Sequence, residues 1–101
     1  MVLKTGMRLR SQVDGTELIV VKPPAGDEVL LCGGHPMIEL GRDPAAGLVA
    51  ESGAGTQIGK RYVSSADGSL EVLVTKAGDS DLRSGEVTLV RKEAKPLPAS
   101  D

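Results

Sequence analysis

Short segments in which apolar and polar side chains alternate recur along the chain, and a period of two indicates β-strands. From Met7 to Val13 the alternation is regular, with Arg8 and Arg10 on the polar face, which is typical of a half-buried strand. Leu70 to Lys76 alternates in the same way. Thr16 to Lys22 instead has the continuous centre Leu-Ile-Val-Val, so we expect a strand there that is buried on both faces.

Glycine, proline and aspartate separate these segments from one another. Asp14-Gly15 is a strong hairpin signal, because both residues can adopt a positive φ. Two further turns are expected at Ala25-Gly26-Asp27 and at Asp67-Gly68. Four shorter strands are predicted, over Glu28 to Cys32, His35 to Leu40, Lys60 to Ser64 and Glu86 to Arg91. The polar segment from Ala77 to Gly85 predicts a loop.

The segment from Gly41 to Gly59 differs in composition from the rest of the chain. It holds five glycines and four alanines but few large apolar residues. Two interpretations are open. Pro44 to Ser52 could form one or two helical turns, with Asp43 as the N-cap and Pro44 at the first position. The alternative is a long loop, and loops of this length are usually functional or mobile.

Six to seven short strands joined by tight turns predict an all-β fold, a small antiparallel barrel or sandwich with one long Gly/Ala-rich insertion. The 101 residues suffice for one domain, which we place at residues 1–91, followed by an extended tail at residues 92–101. Open sheet edges would invite pairing with other strands. A closed barrel or a homodimer would each remove those edges.

Composition narrows the classes of partner. The net charge is −2 and the chain has a single aromatic residue, so we expect no binding to nucleic acid. No apolar run reaches the length of a signal peptide or of a membrane helix, so we expect a cytoplasmic protein that binds no membrane. Cys32 is the only cysteine, which excludes an intrachain disulfide and fits a reducing compartment.

The segment Leu31 to Met37 contains candidate metal ligands. Cysteine, histidine and methionine are soft or borderline ligands, and Gly33-Gly34 would let the chain bring Cys32 and His35 to one ion. The spacing resembles half of a zinc knuckle, and the segment also resembles the copper-binding loop of cupredoxins. However, His35 is the only histidine, and a structural zinc site needs about four protein ligands. Cys32 and His35 are therefore candidate ligands for a transition metal, with a symmetric dimer as one way to complete the set.

Two other interpretations of the same residues are open. In the simpler one, Cys32 is a small buried hydrophobic residue, Gly33-Gly34 is a turn and His35 lies at the surface. In the other, Cys32 and His35 form a thiolate–imidazolium pair for nucleophilic catalysis. That role would also need an oxyanion hole and an orienting group, so we lean away from an enzyme.

A second candidate site lies where Gly53 and Gly55 precede Lys60 and Arg61. The pattern is not a Walker A motif, because Ala54 occupies the position of the first glycine and no Ser or Thr follows Lys60. Flexible backbone N–H groups together with two cationic side chains could still bind a phosphate or carboxylate. We therefore treat these four residues as a candidate site for an anionic small molecule.

Several segments carry a resemblance to a known group of sequences. They are Gly59-Lys60-Arg61-Tyr62-Val63, Leu70 to Gly78, Lys92 to Pro98, and the Cys32-Gly33-Gly34 turn with Pro36-Met37. In these segments the chain resembles short uncharacterised proteins of high-GC actinobacteria. The resemblance covers most of the chain and implies no activity, because the group has no assigned role.

The absence of a complete catalytic or metal-ligand set in the sequence favours a non-enzymatic function. Our leading hypothesis is an accessory or protein-interaction module that docks on itself or on a larger enzyme, through a sheet edge or the long insertion. The alternatives are a small metal-binding module that uses Cys32 and His35, and a module that binds an anionic small molecule near Lys60 and Arg61.

Overall fold

The computed structural model describes residues 3–24, 29–51, 53–65 and 70–92, and every regular element within them is a β-strand. Each strand is short, as the frequent turn residues predict. The strands are β1 (Arg8–Arg10), β2 (Glu17–Lys22), β3 (Leu30–Cys32), β4 (His35–Pro36), β5 (Ile38–Glu39), β6 (Arg61–Ser64), β7 (Glu71–Lys76), β8 (Leu82–Ser84) and β9 (Val87–Arg91).

The nine strands form one antiparallel sheet that nearly closes into a barrel. Their order is β4-β3-β8-β9-β6-β7-β2-β1-β5. The two strands at the ends of this order, β4 and β5, are separated in the chain by Met37 alone. One short segment therefore pairs with β3 through Leu31 and Pro36, and with β1 through Leu9 and Glu39. The predicted all-β class is confirmed, in its barrel form, and this segment uses both edges of the sheet.

The barrel interior is filled by a single aliphatic cluster. Alternation places one side of each strand inside, since neighbouring residues of a strand point to opposite faces. The buried hydrophobic side chains are Leu3, Leu9, Leu18, Val20, Leu30, Cys32, Met37, Tyr62, Leu70, Val72, Val74, Leu82 and Leu89. The single tyrosine belongs to this cluster, and its hydroxyl accepts a hydrogen bond from the backbone N–H of Gln57 at 3.0 Å.

The strand count differs from the six to seven predicted for two reasons. The segment His35 to Leu40 is divided into β4 and β5 at Met37, whose side chain is buried. In addition, β8 forms inside the segment Ala77 to Gly85, where a loop was predicted. Leu82 is the only large apolar residue in that segment, but it is buried in the core and β8 pairs with both β3 and β9.

The prediction that Thr16 to Lys22 is buried on both faces is wrong. Leu18 and Val20 are buried, while Ile19 and Val21 are only half-buried on the outer side of the sheet. A β-bulge opposite Glu71 shifts the register near the end of β2. The side chains of the continuous apolar run thus alternate between the core and the outer face of the sheet.

The hairpin predicted around Asp14-Gly15 is formed, but by a different turn. The strands β1 and β2 pair directly, yet neither Asp14 nor Gly15 has a positive φ. The connection is longer than two residues and closes with a hydrogen bond from the Ser11 N–H to the Thr16 carbonyl. The Ser11 hydroxyl accepts the backbone N–H groups of Val13 and Asp14, which organises the loop through side chains.

The long insertion contains no helix within its described residues. Residues 44–51 are mostly exposed and Gly47 has a φ of 78°, so of the two interpretations left open the described residues form a loop. Because most of its residues are small, this segment lacks an apolar helix face that could pack against the barrel. The predicted turns at Ala25-Gly26-Asp27 and Asp67-Gly68, and the tail beyond Lys92, lie outside the described residues.

Candidate functional site

The outer face of the barrel carries an aliphatic patch across four neighbouring strands. Ile19 on β2 is the register partner of Leu73 on β7, and Val63 on β6 is the partner of Val90 on β9. Leu73 and Val63 are diagonal neighbours, because Val63 pairs with Glu71 two residues before Leu73. Diagonal neighbours on one face lie within reach of each other. We call Ile19, Val63, Leu73 and Val90 the outer patch.

A groove of about 270 Å³ lies beside the outer patch. Its wall includes Ile19 of the patch, Arg8 on β1 and Leu40 just after β5. The Leu40 N–H donates to the Arg8 carbonyl, and Arg8 pairs with Ile19, so Leu40, just after β5, lies next to Arg8 on β1 and Arg8 lies next to Ile19 on β2. Leu40 is 43% exposed and Val90 is 46% exposed, so both side chains are accessible to a partner.

Cationic residues surround the patch. Arg8 pairs with Ile19, Arg61 pairs with Leu73, and Lys22 pairs with Glu71. We define the cationic rim as the five residues Arg8, Lys22, Arg61, Lys76 and Lys92. Among the described residues, two carboxylates share the surface, and both are paired: Glu17 lies 3.8 Å from the Lys76 ammonium group, and Glu71 contacts Arg61 and Lys92.

Glu71 is the buried charge of this face, with only 2% of its side chain exposed. Its Oε1 accepts from Lys92 at 2.9 Å, and its Oε2 accepts from Arg61 at 3.0 Å. The hydrogen bond from Lys92 holds the pKa of Glu71 below its ordinary value; burial opposes this, and the bond from Arg61 reinforces it. One carboxylate thus joins β6, β7 and the end of β9 beneath the exposed rim.

The candidate metal ligands Cys32 and His35 are register partners, but their side chains contact different parts of the protein. Cys32 and His35 pair across the Gly33-Gly34 turn, in which both glycines have a positive φ. Cys32 is fully buried, and His35 Nε2 forms a hydrogen bond with the carbonyl of Val49 at 3.0 Å. Among the described residues, no group of three or more His, Cys, Asp and Glu side chains is arranged to hold a metal ion.

The Cys32 thiol belongs to a buried polar cluster at the β1–β2 connection. Its Sγ lies 3.9 Å from Asp14 Oδ1, and the backbone N–H groups of Thr16 and Ser80 donate to the same carboxylate. Burial raises the pKa of the Cys32 thiol, and the negative charge of Asp14 adds to that effect. Partial burial also acts to raise the pKa of Asp14, but its hydrogen bonds outweigh burial and the pKa lies below its ordinary value. The thiol is therefore protonated at neutral pH, the opposite of an activated nucleophile.

The residues of the predicted anion site have internal partners. The N–H groups of Ala54 and Gly55 both donate to Asp81 Oδ1, at 2.9 Å and 3.1 Å. Gly53 packs so closely on Asp81 that an added Cβ would lie 2.6 Å from the carboxylate carbon. The protein's own carboxylate thus occupies the donors that we predicted for a ligand.

The cationic residues of that predicted site differ in their contacts. Arg61 is bound to Glu71, while the side chain of Lys60 is exposed just before β6. Anion binding by these residues stays a prediction. Binding at the backbone N–H groups would require Asp81 to release them, and binding at Arg61 would require Glu71 to release the guanidinium group.

Sequence reasoning missed the outer patch, although two signals for it were present. In the alternation of Leu70 to Lys76, Leu73 stands on the otherwise polar side with Glu71 and Thr75. Ile19 is hidden in a continuous apolar run, which does not tell the outer face from the inner one. The patch also needs the strand order, because Val63 and Leu73 meet only once β6 lies between β9 and β7.

Comparison of the chain with protein-family models, with curated proteins and with solved structures finds no match. The resemblance to short actinobacterial proteins therefore stays a prediction. Within the described ranges, the structure has no helix long and apolar enough to cross a membrane.

Proposed function

We propose that this protein is a non-enzymatic interaction module that docks on a larger protein through the outer patch and the groove beside it. The observation that carries the proposal is the run of aliphatic side chains across four strands on the solvent side of the barrel. A small barrel needs one apolar face, directed inward, and its interior is already filled by the aliphatic cluster. A second apolar face, rimmed by charge, is typical of a protein-interaction surface.

The closure of the sheet favours the face over an edge as the docking surface. A partner strand can extend a sheet only where an edge has unpaired N–H and C=O groups. In this protein the segment His35–Glu39 pairs with β3 on one side and with β1 on the other. We therefore place docking at the outer patch, where side chains rather than backbone groups make the contact.

The proposal is tested by co-purification of tagged protein from cells that express it naturally, with two matched variants. Val90→Glu places a charge within the patch, whereas Val49→Glu places one at a position that is 79% exposed and outside the patch. Native mass spectrometry should detect a stoichiometric partner with the wild type and with Val49→Glu. With Val90→Glu we expect at least about a tenfold loss of that partner, because an unpaired carboxylate would be buried within the contact.

Other results of this experiment would contradict the proposal. Equal capture by both variants would show that the patch is not the docking surface. A homodimer that dissociates in Val90→Glu would make a second copy of this chain the occupant instead of a larger protein. A monomer without any partner would overturn docking altogether. Thermal unfolding of both variants checks that each one is folded.

A further inference from the structure

We infer that the partner binds through an acidic segment, with an aliphatic or aromatic side chain in the groove and carboxylates against the cationic rim. This inference rests on the proposed function, and it specifies the chemistry of the partner. Its basis is charge complementarity between the rim and what must cover it.

The charge of the outer face is opposite in sign to that of the whole protein. The chain has a net charge of −2, yet the residues that border the patch within the described part of the chain include five cations and two carboxylates. Glu71 is buried, so its charge is not offered to a partner, and the Glu17 side chain is 34% exposed. By contrast, the side chains of Lys76, Arg61 and Lys92 are 64%, 54% and 48% exposed. An approaching molecule therefore meets a cationic surface.

The groove indicates where the partner would anchor. Leu40 and Ile19 supply its aliphatic wall, while Arg8 and Glu17 line its border. A volume of about 270 Å³ is sufficient for one large side chain. Interfaces concentrate much of their binding energy in a few well-packed pockets of this kind. A carboxylate next to the anchor residue of the partner would lie beside Arg8.

The apolar centre of the face favours a protein over a nucleic acid. Single-stranded nucleic acids bind to cationic grooves that also present aromatic side chains on which bases stack. Here the side chains between the cations are Ile, Leu and Val, and Tyr62 is 8% exposed within the core. An aliphatic centre with a cationic rim complements an amphipathic acidic peptide.

Three synthetic peptides of about twelve residues, long enough to cross a groove of this kind, provide the test. One combines leucine with glutamate, one combines leucine with lysine, and one combines serine with glutamate. We expect only the leucine–glutamate peptide to shift the backbone amide resonances of Ile19, Val63 and Leu73 in the ¹⁵N-labelled protein. Its affinity should fall with rising NaCl, since salt screens exposed charge pairs.

A matched pair of variants isolates the contribution of charge. Arg8→Gln removes a cation of the rim. Arg83→Gln removes a cation of β8 that is not part of the rim and that contacts Glu51. Arg8→Gln should weaken the leucine–glutamate peptide about two- to fivefold, as expected for one exposed charge pair, and Arg83→Gln should leave it unchanged.

The failure of this inference can be told apart from failure of the proposed function. Equal binding of the leucine–lysine peptide, or no binding of the leucine–glutamate peptide, would overturn the acidic partner. Tighter binding of a thymidine oligonucleotide at the same amides would show a nucleic-acid surface instead. In each of these cases, a natural partner that is lost in Val90→Glu would still support docking through the patch. If capture does not depend on Val90, both proposals fail.

Discussion

The carboxylate of Asp14 accepts a hydrogen bond from the backbone N–H of Ser80 at 3.0 Å, across 66 residues of the chain. Its other oxygen accepts from the N–H of Thr16 at 2.9 Å. Gly78 packs against the same group, since an added Cβ would lie 2.7 Å from Asp14 Oδ2. The Asp14 side chain therefore attaches the β1–β2 connection to the loop that precedes β8. This attachment helps to position β8, which pairs with β3 and β9.

Replacement of Asp14 should destabilise the fold more than its half-buried position suggests. Asp14→Ala leaves two backbone N–H groups without their acceptor, which costs about 1–3 kcal/mol. Asp79→Ala is the matched control, because Asp79 is an exposed carboxylate of the same loop as Ser80, and we expect a change within about 0.5 kcal/mol. Urea unfolding of the two variants measures the difference. Equal free energies of unfolding would contradict a connecting role for Asp14.

The fold class follows from the sequence because its signals are local. The alternation of Leu70 to Lys76 and the glycine pair at Gly33-Gly34 determine a strand and a turn without any tertiary information. The positions of β8 and of the β1–β2 turn do not follow in this way. The segment around Leu82 forms a strand because β3 and β9 pair with it on either side. The loop at Ser11 is shaped by hydrogen bonds to the Ser11 side chain, which no turn signature describes.

For the candidate sites, the sequence identifies a donor or a cation by residue type but does not identify its partner in the fold. Gly55 has the backbone N–H donor that the sequence suggested, yet Asp81 accepts from it. Arg61 has its charge, yet Glu71 is bound to it. The outer patch has the reverse problem, since Ile19 and Leu73 are unremarkable in sequence and become a surface only through strand register.

Glu71 and Glu17, the two paired carboxylates described on the outer face, should differ in their contribution to stability. Glu71 is buried and bound by two cations, so Glu71→Gln weakens both contacts within a desolvated site and should cost about 1–3 kcal/mol. Glu17 is partly exposed and lies 3.8 Å from Lys76, so Glu17→Gln should cost less than about 0.5 kcal/mol. Chemical denaturation of both variants provides the comparison, and similar losses would mean that burial of Glu71 adds nothing.

Acid should destabilise the protein through Asp14 and Glu71. The folded state lowers both pKa values, from ordinary values of 3.8 and 4.5, so the folded protein binds fewer protons than the unfolded chain at acidic pH. The stabilisation is complete above about pH 5 and is lost as the pH falls through the folded pKa values. We expect the denaturation midpoint to fall below that pH, and to fall less steeply in Glu71→Gln. An identical pH profile for that variant would exclude Glu71 as a contributor.

Cys32 should be unreactive in the folded protein. Its side chain is buried and its pKa is raised, so both access and thiolate fraction are low. Alkylation should be at least about a hundredfold slower than in the unfolded chain, because reaction requires opening of the barrel. Rapid labelling under native conditions would contradict this. So would a bound transition metal that elemental analysis finds in the wild type and not in Cys32→Ala, since a metal-bound cysteine is a thiolate.

The predicted anion site at Gly53, Gly55, Lys60 and Arg61 is tested by removal of the internal carboxylate. Asp81→Ala frees the N–H groups of Ala54 and Gly55, so an added anion no longer competes with a tethered one. If these donors form the site, inorganic phosphate should raise the melting temperature of Asp81→Ala more than that of the wild type. The increase should grow with phosphate concentration, because binding to the folded state alone stabilises it. A second substitution, Lys60→Gln in the Asp81→Ala background, should reduce the increase. Equal shifts in wild type and Asp81→Ala would place any phosphate elsewhere and leave these backbone groups with a structural role, the attachment of the long insertion to β8.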